Sequence, residues 1–184
     1  MTLNLDNTEE PKEDEAPTRV LLVDDHDLFR TGLRNLLEEQ GVDIVGEAGD
    51  GAQAVRLVRE LAPDVVVMDL NMPGVTGVEA TRQVTTAAPL TRVVVLTISD
   101  QDADVLDAIL AGACGYLMKD ASIDELMAGI RAASIGESLI SSHIAGKVLQ
   151  RIRATSSQPE IAEAIRTELS DREIEVLKLI ANGK

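Results

Sequence analysis

Val65-Val66-Val67-Met68-Asp69-Leu70-Asn71-Met72-Pro73-Gly74 is the stretch on which the fold turns: four consecutive apolar residues stop at a carboxylate, and a Pro-Gly loop follows. A short aliphatic run without alternation suits a parallel strand that helices cover on both faces. Working outward, similar runs stand at Val20-Leu21-Leu22-Val23, Asp43-Ile44-Val45-Gly46, Val93-Val94-Val95-Leu96 and Tyr116-Leu117-Met118, making five strands. Between them lie segments with helical spacing: Leu28, Leu33, Leu36 and Leu37 in the first, and Ala54, Leu57, Val58 and Leu61 in the second, which stops at Pro63. The remaining crossovers fall at Gly77 to Ala87, Gln101 to Ala111 and Ser122 to Ile135. Right-handed connections between such units predict a doubly wound α/β domain of (βα)5 topology, with a five-stranded parallel sheet in the order 2-1-3-4-5.

Composition narrows the function classes. Hydrophobic residues are 45% of the 184-residue chain and aromatic ones 1%, so the core is aliphatic. A formal charge of -15 disfavours direct binding to nucleic acid or an anionic membrane, which clustered Lys and Arg normally meet. Met1 to Pro17 holds six acids against one base with no apolar periodicity, and is expected to be a disordered acidic tail. The single cysteine, Cys114, cannot form an internal disulfide, and no apolar run is long enough to cross a membrane. A cytoplasmic location is expected, with Cys114 as a small packing residue.

The polar residues that end the apolar runs share one edge of the sheet: Asp24 and Asp25 after the first strand, Asp69 after the third, Thr97 after the fourth and Lys119 after the fifth. Carboxyl ends of parallel strands form the ligand crevice at the switch point of the strand order, so Asp24, Asp25 and Asp69 should converge. Three carboxylates in one pocket repel unless a cation is present. All-oxygen ligation favours Mg2+. With that charge offset, the Asp69 carboxylate can attack phosphorus and form an acyl phosphate. Thr97 offers a hydroxyl and Lys119 a point charge to the added phosphoryl oxygens.

Val23-Asp24-Asp25-His26, Met68-Asp69-Leu70-Asn71-Met72-Pro73-Gly74, Leu96-Thr97 and Gly115-Tyr116-Leu117-Met118-Lys119-Asp120 together resemble the response regulators of two-component systems, in their NarL/FixJ-type branch. The resemblance covers about Arg19 to Ile135. It implies a flavodoxin-like receiver, phosphorylation of Asp69 by a sensor histidine kinase, Mg2+ held by Asp24, Asp25, Asp69 and the Asn71 backbone carbonyl, and a switch through Thr97 and Tyr116. In this family the switch alters self-association to a dimer or frees an effector domain. Leu169 to Lys184 is similar to the opening of a LuxR-type helix-turn-helix domain, whose recognition helix would follow; DNA binding is expected only through that missing remainder. The expected organisation is therefore an acidic tail at 1–17, a receiver at 18–136, a helical linker at 137–168 and a truncated helix-turn-helix domain at 169–184.

Several residues carry blander expectations. His26 is expected to be an exposed loop residue opening the first helix, and His143 a linker surface residue. Gly49-Asp50-Gly51 lacks the lysine and further glycine of a phosphate loop and is expected to be a turn. Bulky Ile98, after Thr97, is expected to narrow access to the phosphoryl group. A magnesium-dependent phosphohydrolase would also use an Asp nucleophile, but Asn71 stands where its general acid would be, and an amide cannot serve.

Overall fold

The computed structural model describes residues 16–99, 101–140, 144–146 and 148. The expectations for the tail at 1–15, His143 and the segment from 149 to 184 lie outside the described residues. The elements run β1 (Arg19–Val23), α1 (Asp27–Glu39), β2 (Asp43–Ala48), α2 (Gly51–Leu61), β3 (Val65–Met68), α3 (Gly77–Ala87), β4 (Arg92–Thr97), α4 (Asp102–Leu110), β5 (Gly115–Met118), α5 (Ile123–Ser134) and β6 (Leu139–Ile140). All strand pairings are parallel, in the order β2-β1-β3-β4-β5-β6. The expected five-strand order is present, extended by one short strand beyond β5.

Strand alternation sorts the core into two faces. On β1, Val20 and Leu22 pack with Leu33 and Leu37 of α1 and Leu126 and Ile130 of α5. Leu21 and Val23 pack with Ala54, Val55 and Val58 of α2 and Ala80 and Val84 of α3. Every residue of β3 is buried, as its unbroken apolar run requires. At about 1.5–3 kcal/mol per fully buried aliphatic side chain, these central strands dominate the stability of the sheet. A third apolar body surrounds Tyr116 of β5 and α4, and includes Ile144, Ala145 and Val148 beyond β6.

Local signals set the element ends. Asp50 caps α2 by accepting from the Gln53 N–H at 2.7 Å, so Gly49-Asp50-Gly51 is the turn expected of it. Ala62 ends α2 in the left-handed region at φ 44°, and Arg19 donates to the Leu61 and Ala62 carbonyls there. Ser122 and Glu125 form a capping box at α5. Leu28 departs from the expected core pattern at 88% exposure, because its five-residue spacing from Leu33 turns it away from the sheet-facing stripe. Cys114 is half-buried beside the α5 face, and burial pushes its thiol pKa up.

Candidate functional site

Three backbone hydrogen bonds fix the site residues just past their strands. The Asp24 N–H donates to the Ala48 carbonyl at 3.0 Å, the Asp69 N–H to the Val23 carbonyl at 2.9 Å and the Lys119 N–H to the Thr97 carbonyl at 2.8 Å. The ladder is thereby carried one residue beyond β1, β3 and β5, and delivers their polar side chains to one edge.

Those side chains meet. Lys119 Nζ lies 2.6 Å from Asp24 Oδ2 and 2.9 Å from Asp69 Oδ2, placing one ammonium between two carboxylates. Asp24 and Asp69 are both buried, Asp69 at 2% exposure. Burial works against the Lys119 charge, but hydrogen bonds and attraction from Asp24 and Asp69 outweigh it and hold the pKa above the ordinary lysine value. The Phe29 ring centroid lies 4.7 Å from the same nitrogen, a cation–π contact.

Asp25 completes an acidic cluster. Its Oδ1 is buried without a hydrogen bond; His26 Nδ1 lies 2.9 Å away, an ion-pair distance without hydrogen-bond alignment. Among the described residues, Asp24, Asp25, His26 and Asp69 each offer a ligand atom, all within 4.8 Å of one another. One lysine does not neutralise three carboxylates, and an orphaned buried oxygen among oxygen donors fits a hard divalent cation. His26 is exposed at the start of α1, as expected, yet its ring also approaches Asp24 Oδ1 at 3.3 Å.

The neutral side of the site is built differently. Thr97 is fully buried, and its Oγ1 accepts from Asn71 Nδ2 and from the Ser99 N–H, both at 3.2 Å. Asn71 also donates its backbone N–H to Asp69 Oδ1 at 3.3 Å. Tyr116 is 1% exposed, and its hydroxyl donates to the Ser99 carbonyl at 2.7 Å. Ile98, after Thr97, is exposed.

Sequence reasoning missed three contributors. Arg30 donates from Nη1 to the Asp24 carbonyl and from Nε to Glu47, pinning the loop from behind. Phe29 underlies the Lys119 ammonium. Gly77 sits where a Cβ would come within 2.0 Å of the Asp69 carbonyl oxygen, so the start of α3 touches the Asp69 loop only because that position lacks a side chain. Gly77 had a signal in hindsight, a glycine opening a helix just after the Pro73-Gly74 turn; Arg30 and Phe29 had none.

The model of the response regulator receiver domain matches residues 20–131, more than half of the chain. This chain belongs to the response regulator receiver family. Its relatives include the transcriptional regulatory protein LiaR of Bacillus subtilis, 45% identical over 167 residues that span 90% of this chain and 77% of LiaR. The response regulator GacA of Pseudomonas aeruginosa is 41% identical over 165 residues, covering 89% of this chain and 75% of GacA. Among solved structures, a LuxR-family two-component response regulator from Aurantimonas sp. SI85-9A1 superposes with a TM-score of 0.69 at 39% identity, over 74% of this receiver chain and 98% of that one. The resemblance read from the motifs is thus the family itself, and the order of β1 to β5 is the flavodoxin-like order expected of it.

Proposed function

We propose that this response regulator accepts a phosphoryl group on Asp69 from a phosphohistidine donor, with Asp24, Asp25, Asp69 and the Asn71 carbonyl holding Mg2+ and with Thr97 and Tyr116 carrying the switch. The observation that carries this reading is the buried Asp69 carboxylate bound to Lys119 at 2.9 Å, beside an Asp25 oxygen that has no hydrogen bond. When bound, Mg2+ supplies charge neutralisation to the carboxylates and to the incoming phosphoryl oxygens. An Asp69 carboxylate oxygen attacks phosphorus, the phosphorus–nitrogen bond breaks, and its electron pair returns to the donor imidazole. Lys119 orients the Asp69 carboxylate and then shares its charge with the phosphoryl group. Thr97 exchanges its bonds from Asn71 and Ser99 for one to a phosphoryl oxygen, and this differential contact is what biases the domain toward a second state.

An apolar groove lined by Leu28, Phe29, Leu36, Lys119, Ala121 and Ile123 runs beside the site, and exposed Leu28 and Leu36 on its rim suit the helical face of a sensor histidine kinase. Action in the cytoplasm is part of the same proposal; among the described residues no helix is long and apolar enough to cross a membrane. The output is transcription regulation through the LuxR-type helix-turn-helix region that Leu169 to Lys184 opens, with dimer formation on phosphorylation. The names of LiaR, a transcriptional regulatory protein, and of the LuxR-family structure support this reading.

Incubation with acetyl phosphate and Mg2+ tests the site. Intact mass should show one phosphoryl adduct on the native chain and none on Asp69→Asn. An adduct that survives the substitution, or steady turnover of a generic phosphate ester, overturns the assignment.

A further inference from the structure

His26 takes no part in the proposed chemistry, yet its ring stands inside the acidic cluster. Its backbone is fixed on both sides: the N–H donates to Asp24 Oδ1 at 2.8 Å, and the carbonyl accepts from the Arg30 N–H at 3.0 Å in the first turn of α1. The side chain caps nothing and is 66% exposed, so its own torsions, not core packing, decide where the imidazole lies. It lies with Nδ1 2.9 Å from Asp25 Oδ1 and 3.3 Å from Asp24 Oδ1.

Those separations suit a shared coordination shell better than a hydrogen bond. Two ligand atoms held at right angles by one ion, each about 2.1 Å from it, stand about 3.0 Å apart. The Asp25 oxygen has no hydrogen-bond partner, so ring and carboxylate approach without the alignment that a shared proton needs, and the approach to Asp24 is longer than an ordinary N–H···O bond. The carboxylates divide their oxygens accordingly. Lys119 holds Asp24 Oδ2 and Asp69 Oδ2, whereas the atoms that His26 Nδ1 approaches are Asp24 Oδ1 and Asp25 Oδ1. One imidazole nitrogen is thereby grouped with the oxygens that the ammonium does not occupy.

We infer that His26 Nδ1 is a further metal ligand, which adapts the site to a divalent first-row transition ion, Mn2+ or Ni2+, over Mg2+. The inference rests on the proposed metal set of Asp24, Asp25, Asp69 and the Asn71 carbonyl, and adds the residue that selects the ion. Mg2+ is hard, keeps several waters and takes oxygen ligands; imidazole suits the softer ions, with Ni2+ above Mn2+ in affinity. An exposed ring enters or leaves the shell without repacking the core, so the same carboxylates serve either class of ion.

In the full chain loaded with Mn2+, pulsed electron paramagnetic resonance should show nitrogen modulation from a directly bound imidazole. That signal should vanish in His26→Ala and persist in His143→Ala, which removes the other histidine. By calorimetry, the ratio of Ni2+ to Mg2+ affinity should fall at least about ten-fold in His26→Ala, since even outer-shell partners of a metal are worth that much. His26→Asn, which suits a helix N-cap, repeats the spectroscopic arm should His26→Ala fail to fold by circular dichroism. Mn2+ bound without a nitrogen signal, or a native affinity ratio in folded His26→Ala, means that the ring only pairs with the carboxylates and overturns this inference alone. Failure of the native chain to bind Mg2+, Mn2+ or Ni2+, or to form the Asp69 adduct with Mg2+, overturns the functional reading and this inference with it.

Discussion

At the ends of β1 and β3, Asp24 and Asp69 share one lysine at salt-bridge distances, with Arg30 bracing the loop behind them. At the end of β4 and within β5, Thr97 and Tyr116 are held by neutral hydrogen bonds to Asn71 and Ser99 and by aliphatic packing. Removing one member of a buried charge pair strands the other, so the first arrangement resists change. A neutral hydrogen bond contributes only about 1 kcal/mol net and is readily exchanged for a better one. On the proposed function, the chemistry falls to the charged half and the conformational change to the neutral half.

That division can be broken by substitution. Tyr116→Ala should have the largest effect, about 3–5 kcal/mol of stability by urea denaturation, as for large aromatic truncations in a core. Adduct formation at Asp69 should survive in the fraction that stays folded, and its loss there would mean the two halves are not separable. Gly77→Ala strikes the opposite half, forcing a methyl group against the Asp69 carbonyl oxygen. It should cost about 3 kcal/mol, at the upper end of overpacking penalties, and should suppress the acetyl phosphate adduct while leaving Tyr116 emission unchanged.

Magnesium sharpens the contrast. At about one hundred times its dissociation constant it should stabilise the native chain by about 2.7 kcal/mol, an increase in Tm that chelation reverses and that Asp25→Asn reduces. Tyr116→Phe, by contrast, should keep the full magnesium response. The smallest effect concerns pH. Burial raises the Cys114 thiol pKa, so the neutral thiol's contribution is fully present below the unfolded thiol pKa and is lost as pH rises toward the folded one. The native chain should lose Tm relative to Cys114→Ala on going from pH 8 to about pH 10, with no change in its magnesium response.

Because β6 occupies the outer edge of β5, that edge is closed to a partner strand in the conformation described.

Apolar runs ending in polar residues were enough to read β1, β3, β4 and their order, because a strand buried on both faces confines its polar residues to its ends. Asp24, Asp69, Thr97 and Lys119 were legible for the same reason: each stands at a run's end, and the parallel topology carries all such ends to one edge. Tyr116 was legible as a strand residue and, through the family resemblance, as a switch residue. Its full burial depends on α4 and on Ile144, Ala145 and Val148, which periodicity could assign only to a linker.

By itself, then, the sequence determined the layer architecture and the set of reactive side chains, since burial pattern and run ends are local properties of the chain. Only the tertiary structure decided that Lys119 bridges Asp24 and Asp69, that Phe29, Arg30 and Gly77 support them, and that two residues beyond α5 add a strand. These depend on close approach between residues distant in sequence. A two-residue strand carries no periodicity, and a contact made possible by a missing Cβ leaves no mark until both backbones are in place.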